Sequence, residues 1–147
     1  TKIAVTHAKV SGTVFDVGKQ LADALEHEGL KYALVISDGQ NINGTELVEG
    51  LQAVLPKSVL ITGGLAGDGI NFSETEVWHN DAIGAGQILV CGFYGSQISV
   101  GHGSMGGWDP FGPERRITKS TANELHTLDD QPALELYKKY LGEHAIN

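Results

Sequence analysis

The chain is 147 residues long, 41% hydrophobic and 19% charged, which fits one globular domain with a real core and excludes a disordered polypeptide. A net charge of −8 leaves no basic footprint for nucleic acid, and no apolar run approaches the roughly 18 residues of a membrane span, so neither nucleic-acid binding nor membrane insertion is expected. The single cysteine, Cys91, excludes an internal disulfide and fits a reducing, cytoplasmic setting.

The chain opens on Thr1 directly into a strand-like run, with no charged-then-apolar leader, as an internal segment of a longer protein would. Lys2 to Val10 reads as that strand. Val14, Val17, Gly18, Leu21, Ala22 and Leu25 then recur at helical spacing, and Gly29 supplies a stop. Tyr32 to Ile36 is a compact apolar strand ending in Ser37-Asp38-Gly39. A second helix follows, with Asn43 and Glu46 in a capping-box arrangement, an apolar stripe of Leu47, Val48, Leu51, Val54 and Leu55, and Pro56 at its end. Strand Ser58 to Thr62 leads into Gly63-Gly64-Leu65-Ala66-Gly67-Asp68-Gly69. This β-α-β-α-β order predicts parallel strands joined by right-handed crossovers.

Beyond that point the pattern changes. Glu74 to His79, Gly86 to Tyr94 and Gln97 to Gly101 read as short strands separated by turns, and Glu114 to Thr121 and Asn123 to Leu128 as two more. Pro132 opens a final helix carrying Leu134, Leu136, Tyr137, Tyr140 and Leu141, with Gly142 at its end. The expected fold is α/β: a βαβαβ parallel start extended by antiparallel strands into a mixed sheet, closed by a C-terminal helix, in a single domain over 1–147.

Glycine is the unusual residue, 20 of 147, about twice the average share, and many glycines fall at strand ends. Ligands of open α/β sheets bind outside the carboxyl ends of the strands. Ser37, Asp38 and Gly39 together with Gly63, Gly64, Ala66, Gly67 and Asp68 are therefore the candidate ligand-binding residues. Backbone amides there would hold a carboxylate or phosphate, and the Asp38 or Asp68 carboxylate an amine. The competing reading is that the glycines make tight turns and the aspartates cap them.

Gly101-His102-Gly103-Ser104-Met105-Gly106 matches G-x-G-x-x-G by letter, but Gly107-Trp108-Asp109-Pro110 follows where the dinucleotide fingerprint requires a helix. No glycine loop ends in G-K-[ST] either, so no nucleotide cofactor is expected. A nucleophile elbow around Ser104 needs glycine at 102 and finds His102. Ser104, His102 and Asp38 or Asp68 still contain the residue types of a hydrolase triad, and residues 102 and 104 of an extended chain share a face. Hydrolysis is thus kept as an alternative. Histidines 7, 27, 79, 102, 126 and 144 show no metal-ligand spacing, so no metal is expected. Trp108, in a Gly/Pro-rich loop, closes over a ligand or anchors its loop. Arg115 and Arg116 offer a carboxylate clamp or a solvated strand face.

Several stretches, in order, resemble the FIST N domain. They are Leu34-Val35-Ile36-Ser37-Asp38-Gly39 with Asn43-Gly44, then Gly63 to Asp68, and His102-Gly103-Ser104 with Gly107-Trp108-Asp109-Pro110-Phe111-Gly112-Pro113. Ile117-Thr118-Lys119 leading to Asn123 follows, then Leu128-Asp129 through Pro132-Ala133-Leu134-Glu135 to Tyr140-Leu141-Gly142. The resemblance runs from about Lys31 onward, and the order and spacing of the stretches carry it. It implies a sensory module that binds small ligands such as amino acids, is partnered by a FIST C domain and signalling output modules, and is no self-sufficient enzyme. It also implies that this chain is the later part of an N-terminal domain. The ligand set expected is then Ser37, Asp38, Gly39, Gly63, Gly64, Ala66, Gly67, Asp68, His102, Gly103 and Trp108, with the loop from Gly103 to Pro113 as the moving part. A third reading is an interaction module without a ligand, which would show an exposed apolar patch of several hundred Å².

Overall fold

The computed structural model describes residues 1–107 and 109–145; Trp108 lies outside the described residues. The chain divides into two compact units, Thr1–Ser104 and Met105–Asn147.

In the first unit, β1 (Lys2–Lys9), α1 (Val14–Asp23), β2 (Leu30–Ser37), α2 (Gly44–Val54) and β3 (Leu60–Leu65) follow the expected alternation. A short hairpin, β4 (Val77–His79) and β5 (Ala82–Gly84), precedes β6 (Gln87–Tyr94). The helix starts are those the caps predict. Thr13 Oγ1 accepts from Asp16 N at 3.1 Å before α1, and Asn43 Oδ1 accepts from Thr45 N and Glu46 N before α2.

The main sheet has the order β1-β6-β2-β3. Strands β1, β2 and β3 run in one direction, as the crossover pattern requires, but β6 inserts antiparallel between β1 and β2. Only β2 and β3 are parallel neighbours, with Tyr32 opposite Leu60 and Ser37 opposite Leu65. The insertion also corrects the strand expected over Gln97–Gly101, where no ladder forms. Both sides of β6 are already taken by β1 and β2, so the segment after it cannot form a hairpin with β6.

Because the strand order advances in one direction, right-handed crossovers place α1 and α2 on the same face of the sheet. The core lies there: Val17, Leu21, Leu47 and Leu51 from the helices pack over Ala33, Val35, Ile88 and Val90. The opposite face carries Ile3, Val5, Leu34, Ile36, Leu89 and Phe93, and Ile3, Val5 and Ile36 are exposed. At one end of it the His79 ring lies 4.6 Å from that of His7.

The second unit is a small three-stranded antiparallel sheet, β7 (Ile117–Thr121), β8 (Glu124–Leu128) and β9 (Gln131–Pro132), followed by α3 (Ala133–Leu141) and a 3-10 turn over Gly142–Ala145. Arg115 ties this unit together. Its guanidinium donates to Asp129 Oδ2 at 3.2 Å and to the Tyr140 hydroxyl at 2.9 Å, so it is neither a free clamp nor a merely solvated side chain. Among the described residues of this unit only Ala133 is buried. No helix among the described residues is long and apolar enough to cross a membrane.

Candidate functional site

The carboxyl ends of β2 and β3 lie side by side. Ala66 N donates to Ser37 O at 2.8 Å, continuing the ladder one residue past β3. At Gly39 the backbones touch so closely that a Cβ would stand 2.0 Å from the Ala66 carbonyl oxygen, a distance no side chain tolerates. Gly63 is held the same way, since a Cβ there would meet the Val35 carbonyl at 1.9 Å. Gly39 and Gly63 are therefore positions of close backbone approach, whereas Gly64 and Gly67 have open space where a Cβ would stand.

Asp38, the first residue after β2, is 0% exposed. Its Oδ1 accepts from Gln40 N at 2.7 Å, Asn41 N at 3.3 Å and Thr75 Oγ1 at 2.5 Å. Its Oδ2 accepts from Asn41 Nδ2 at 2.7 Å and from Gly86 N. A carboxylate offers about four lone-pair sites, and protein donors occupy all of them. Burial pushes its pKa up; the bonds from Thr75, Asn41 and the Gln40 and Gly86 amides outweigh that and hold it far below the usual carboxylate range. Asp38 is thus a fixed anion that ties β2, the 75 region and the turn before β6 together.

Asp68 is held differently. Its Oδ1 accepts from Phe72 N at 3.0 Å, and its Oδ2 from Ser73 N at 2.7 Å, Ser73 Oγ at 3.3 Å and Glu74 N at 3.3 Å. The Ser73 amide lowers its pKa most; desolvation opposes this, and the Glu74 and Phe72 amides together with the Ser73 hydroxyl leave the net shift downward. All the donors belong to its own loop.

Beneath the strand ends, between β3 and the first turns of α2, lies an almost wholly apolar cleft of about 190 Å³. Ser37, Gly63 and Gly64 of the expected set line it, joined by Leu47, Val48 and Ile61. Sequence reasoning counted Leu47 and Val48 only as core. Leu47 is buried, but Val48 remains 37% exposed, and its place in the same helical stripe gave no signal of the difference.

The structure thus brings together Ser37, Asp38, Gly39, Gly63, Gly64 and Ala66, with Gly67 and Asp68 following in an outer loop. His102 and Gly103 are exposed, in a stretch without regular structure. Among the described residues no hydrogen bond joins Ser104 to His102, or either to Asp38 or Asp68, so a triad is not assembled. Thr75 and Gly86, which sequence reasoning missed, are the residues on which Asp38 depends. Among the described residues no three His, Cys, Asp or Glu side chains come together as a metal site.

Charge is distributed unevenly around this site. Residues 32–114 hold nine carboxylates and one cation, Lys57, so they account for the whole net charge of −8. The flanking segments balance, four acids against four lysines before it and five against five after it. The family model that matches the chain is that of the FIST N domain, over residues 1–131. Neither the comparison with curated proteins nor that with solved structures gives a match.

Proposed function

The chain belongs to the FIST N domain family of sensory signal-transduction domains, and on that premise we propose that it senses a small ligand of amino-acid type, free or within a short peptide, at the carboxyl ends of β2 and β3. One observation carries this reading: three residues at the ends of β2 and β3, Ser37, Gly63 and Gly64, open onto an apolar cleft of about 190 Å³. That is room for one aliphatic side chain, at the place where open α/β sheets bind their ligands.

The carboxylates enter the reading in a changed role. Asp38 shapes its loop, since protein donors fill both of its oxygens, and Asp68 caps its own loop through the Phe72, Ser73 and Glu74 amides. Polar groups of the ligand meet backbone N–H and C=O groups of β3 and its loop instead. Gly39, Ala66 and Gly67 set the path of that backbone. His102 and Gly103, after β6 in the same unit, are proposed as further contributors, and a sensing role requires that the ligand bind two states unequally. A cytoplasmic setting, a FIST C domain and a signalling output module complete the proposal.

The test is a thermal-shift panel of amino acids and short peptides. At a hundredfold excess over Kd a ligand adds about 2.7 kcal/mol, several degrees for a domain of this size. Aliphatic members of the panel are expected to raise Tm, and Val48→Arg, which fills the mouth of the cleft, to abolish the rise. No rise with any member would overturn the reading. The exposed apolar face of the sheet, with Ile3, Val5 and Ile36 on it, favours a second reading in which the domain also docks a protein partner.

A further inference from the structure

The ligand class can be narrowed from the backbone of β3. Strand β3 is the edge of the sheet beside the cleft. Along a strand, successive residues send their N–H and C=O groups to opposite sides. Ala66 N donates to Ser37 O across to β2, while Asp38 N donates the other way, to Gln87 O. Even-numbered residues of β3 therefore bond to β2, and Ile61, Gly63 and Leu65 direct their N–H and C=O groups to the open edge. These three stand about 6.6 Å apart, the repeat of an added strand.

Edges of this kind are normally guarded by charge, proline or a bulge. The other edge strand, β1, carries Lys2 and Lys9 at its ends. Strand β3 reads Leu-Ile-Thr-Gly-Gly-Leu, with no charge and no proline, and its register against β2 is unbroken. Gly64 leaves open space beside it, and Leu65 is 53% exposed. The edge is thus unguarded where the apolar cleft opens next to it.

Electrostatics separates a free amino acid from a peptide at this site. The only cation between Lys31 and Arg115 in the sequence is Lys57, so no side chain of the strand-end loops or of α2 can neutralise a ligand carboxylate. A free amino acid brings such a carboxylate into an acidic region; a residue inside a peptide brings neutral amides, and basic neighbours are attracted. Resting on the proposed ligand site, we infer that the ligand is a short, extended, basic peptide that adds as a strand to β3, with one aliphatic side chain in the cleft.

The experiment uses the 147-residue chain and three probes: free valine, a tripeptide of valine between two lysines blocked by acetyl and amide groups, and the same tripeptide N-methylated at valine. Calorimetric titration is expected to show the blocked tripeptide binding at least about tenfold more tightly than either of the others, the loss of one strand hydrogen bond being worth roughly that factor. Val48→Arg is expected to weaken the tripeptide by a similar factor. Methylation leaves the protein untouched, so its effect is not confused with misfolding. If valine binds as well as the tripeptide, the peptide inference falls while the ligand site stands. Equal binding of the two tripeptides would overturn strand addition. Absence of binding by all three would overturn the inference together with the site on which it rests.

Discussion

The loops that leave β2 and β3 start side by side, and an aspartate stands in each, Asp38 in one and Asp68 in the other. The first is buried and accepts from residues up to 48 positions away; the second lies nearer the surface and accepts only from residues 72 to 74. Asp38 therefore stabilises the joint between β2 and β6, which belongs to the global fold. Asp68 stabilises one loop, which can open by itself. Two carboxylates with the same local setting, after a strand and beside a glycine, differ because of what the distant chain brings to them.

Removing Asp38 tests the larger half of this contrast. Asp38→Ala leaves the Gly86 amide, the Thr75 hydroxyl and the Gln40 amide without their acceptor in a buried place. The expected loss is about 3–5 kcal/mol, from several buried donors losing a charged partner at once. A fall in the urea midpoint by less than the equivalent of about 1 kcal/mol would show that water replaces the carboxylate and that Asp38 is no tie.

A smaller effect follows from acid. The pKa of Asp38 is lowered on folding, so its contribution is present above the ordinary carboxylate pKa of about 4 and is lost as pH falls below it. The urea midpoint of the natural chain is expected to fall between about pH 5 and pH 2, and the fall to be shallower in Asp38→Asn, which has no proton to take up there. Parallel curves for the two proteins would assign the acid limb to other carboxylates.

Much of the fold was legible because it is written locally. Asn43 with Glu46 marks the start of α2, and the stripe through Leu47 and Leu51 marks its buried side. The place of β6 was not legible, since its apolar alternation is the same whether it forms a hairpin or inserts between β1 and β2. With both sides of β6 taken, it forms no hairpin with the segment expected as a strand at Gln97–Gly101. At the site, the two glycine loops were expected at the carboxyl ends of neighbouring strands, and the bond from Ala66 N to Ser37 O joins them. The protein donors that hold each aspartate were not legible. An Asp-Gly after a strand looks equally ready to hold a ligand amine or a backbone, and only Thr75 and Gly86 decide between the two.

The smallest effect is expected at Asp68, and it sharpens the contrast most. Its loop exposes Ile70 (92%) and Phe72 (75%), so little apolar burial depends on it. The far end of the loop is pinned independently, because Thr75 is buried against Asp38 and its Oγ1 also accepts from Gly39 N at 2.8 Å. Asp68→Ala frees the Phe72, Ser73 and Glu74 amides to bond water, which costs little at the surface. The urea midpoint is expected to stay within error of the natural chain, while chymotrypsin cuts after Phe72 several times faster, about what the loss of a local cap allows. Binding of the blocked tripeptide is expected to persist, since the loop carboxylate does not line the cleft. If instead Asp68→Ala abolishes peptide binding while Phe72 stays protected, the carboxylate meets the ligand's cation directly, and the two aspartates divide into one that builds the site and one that reads it.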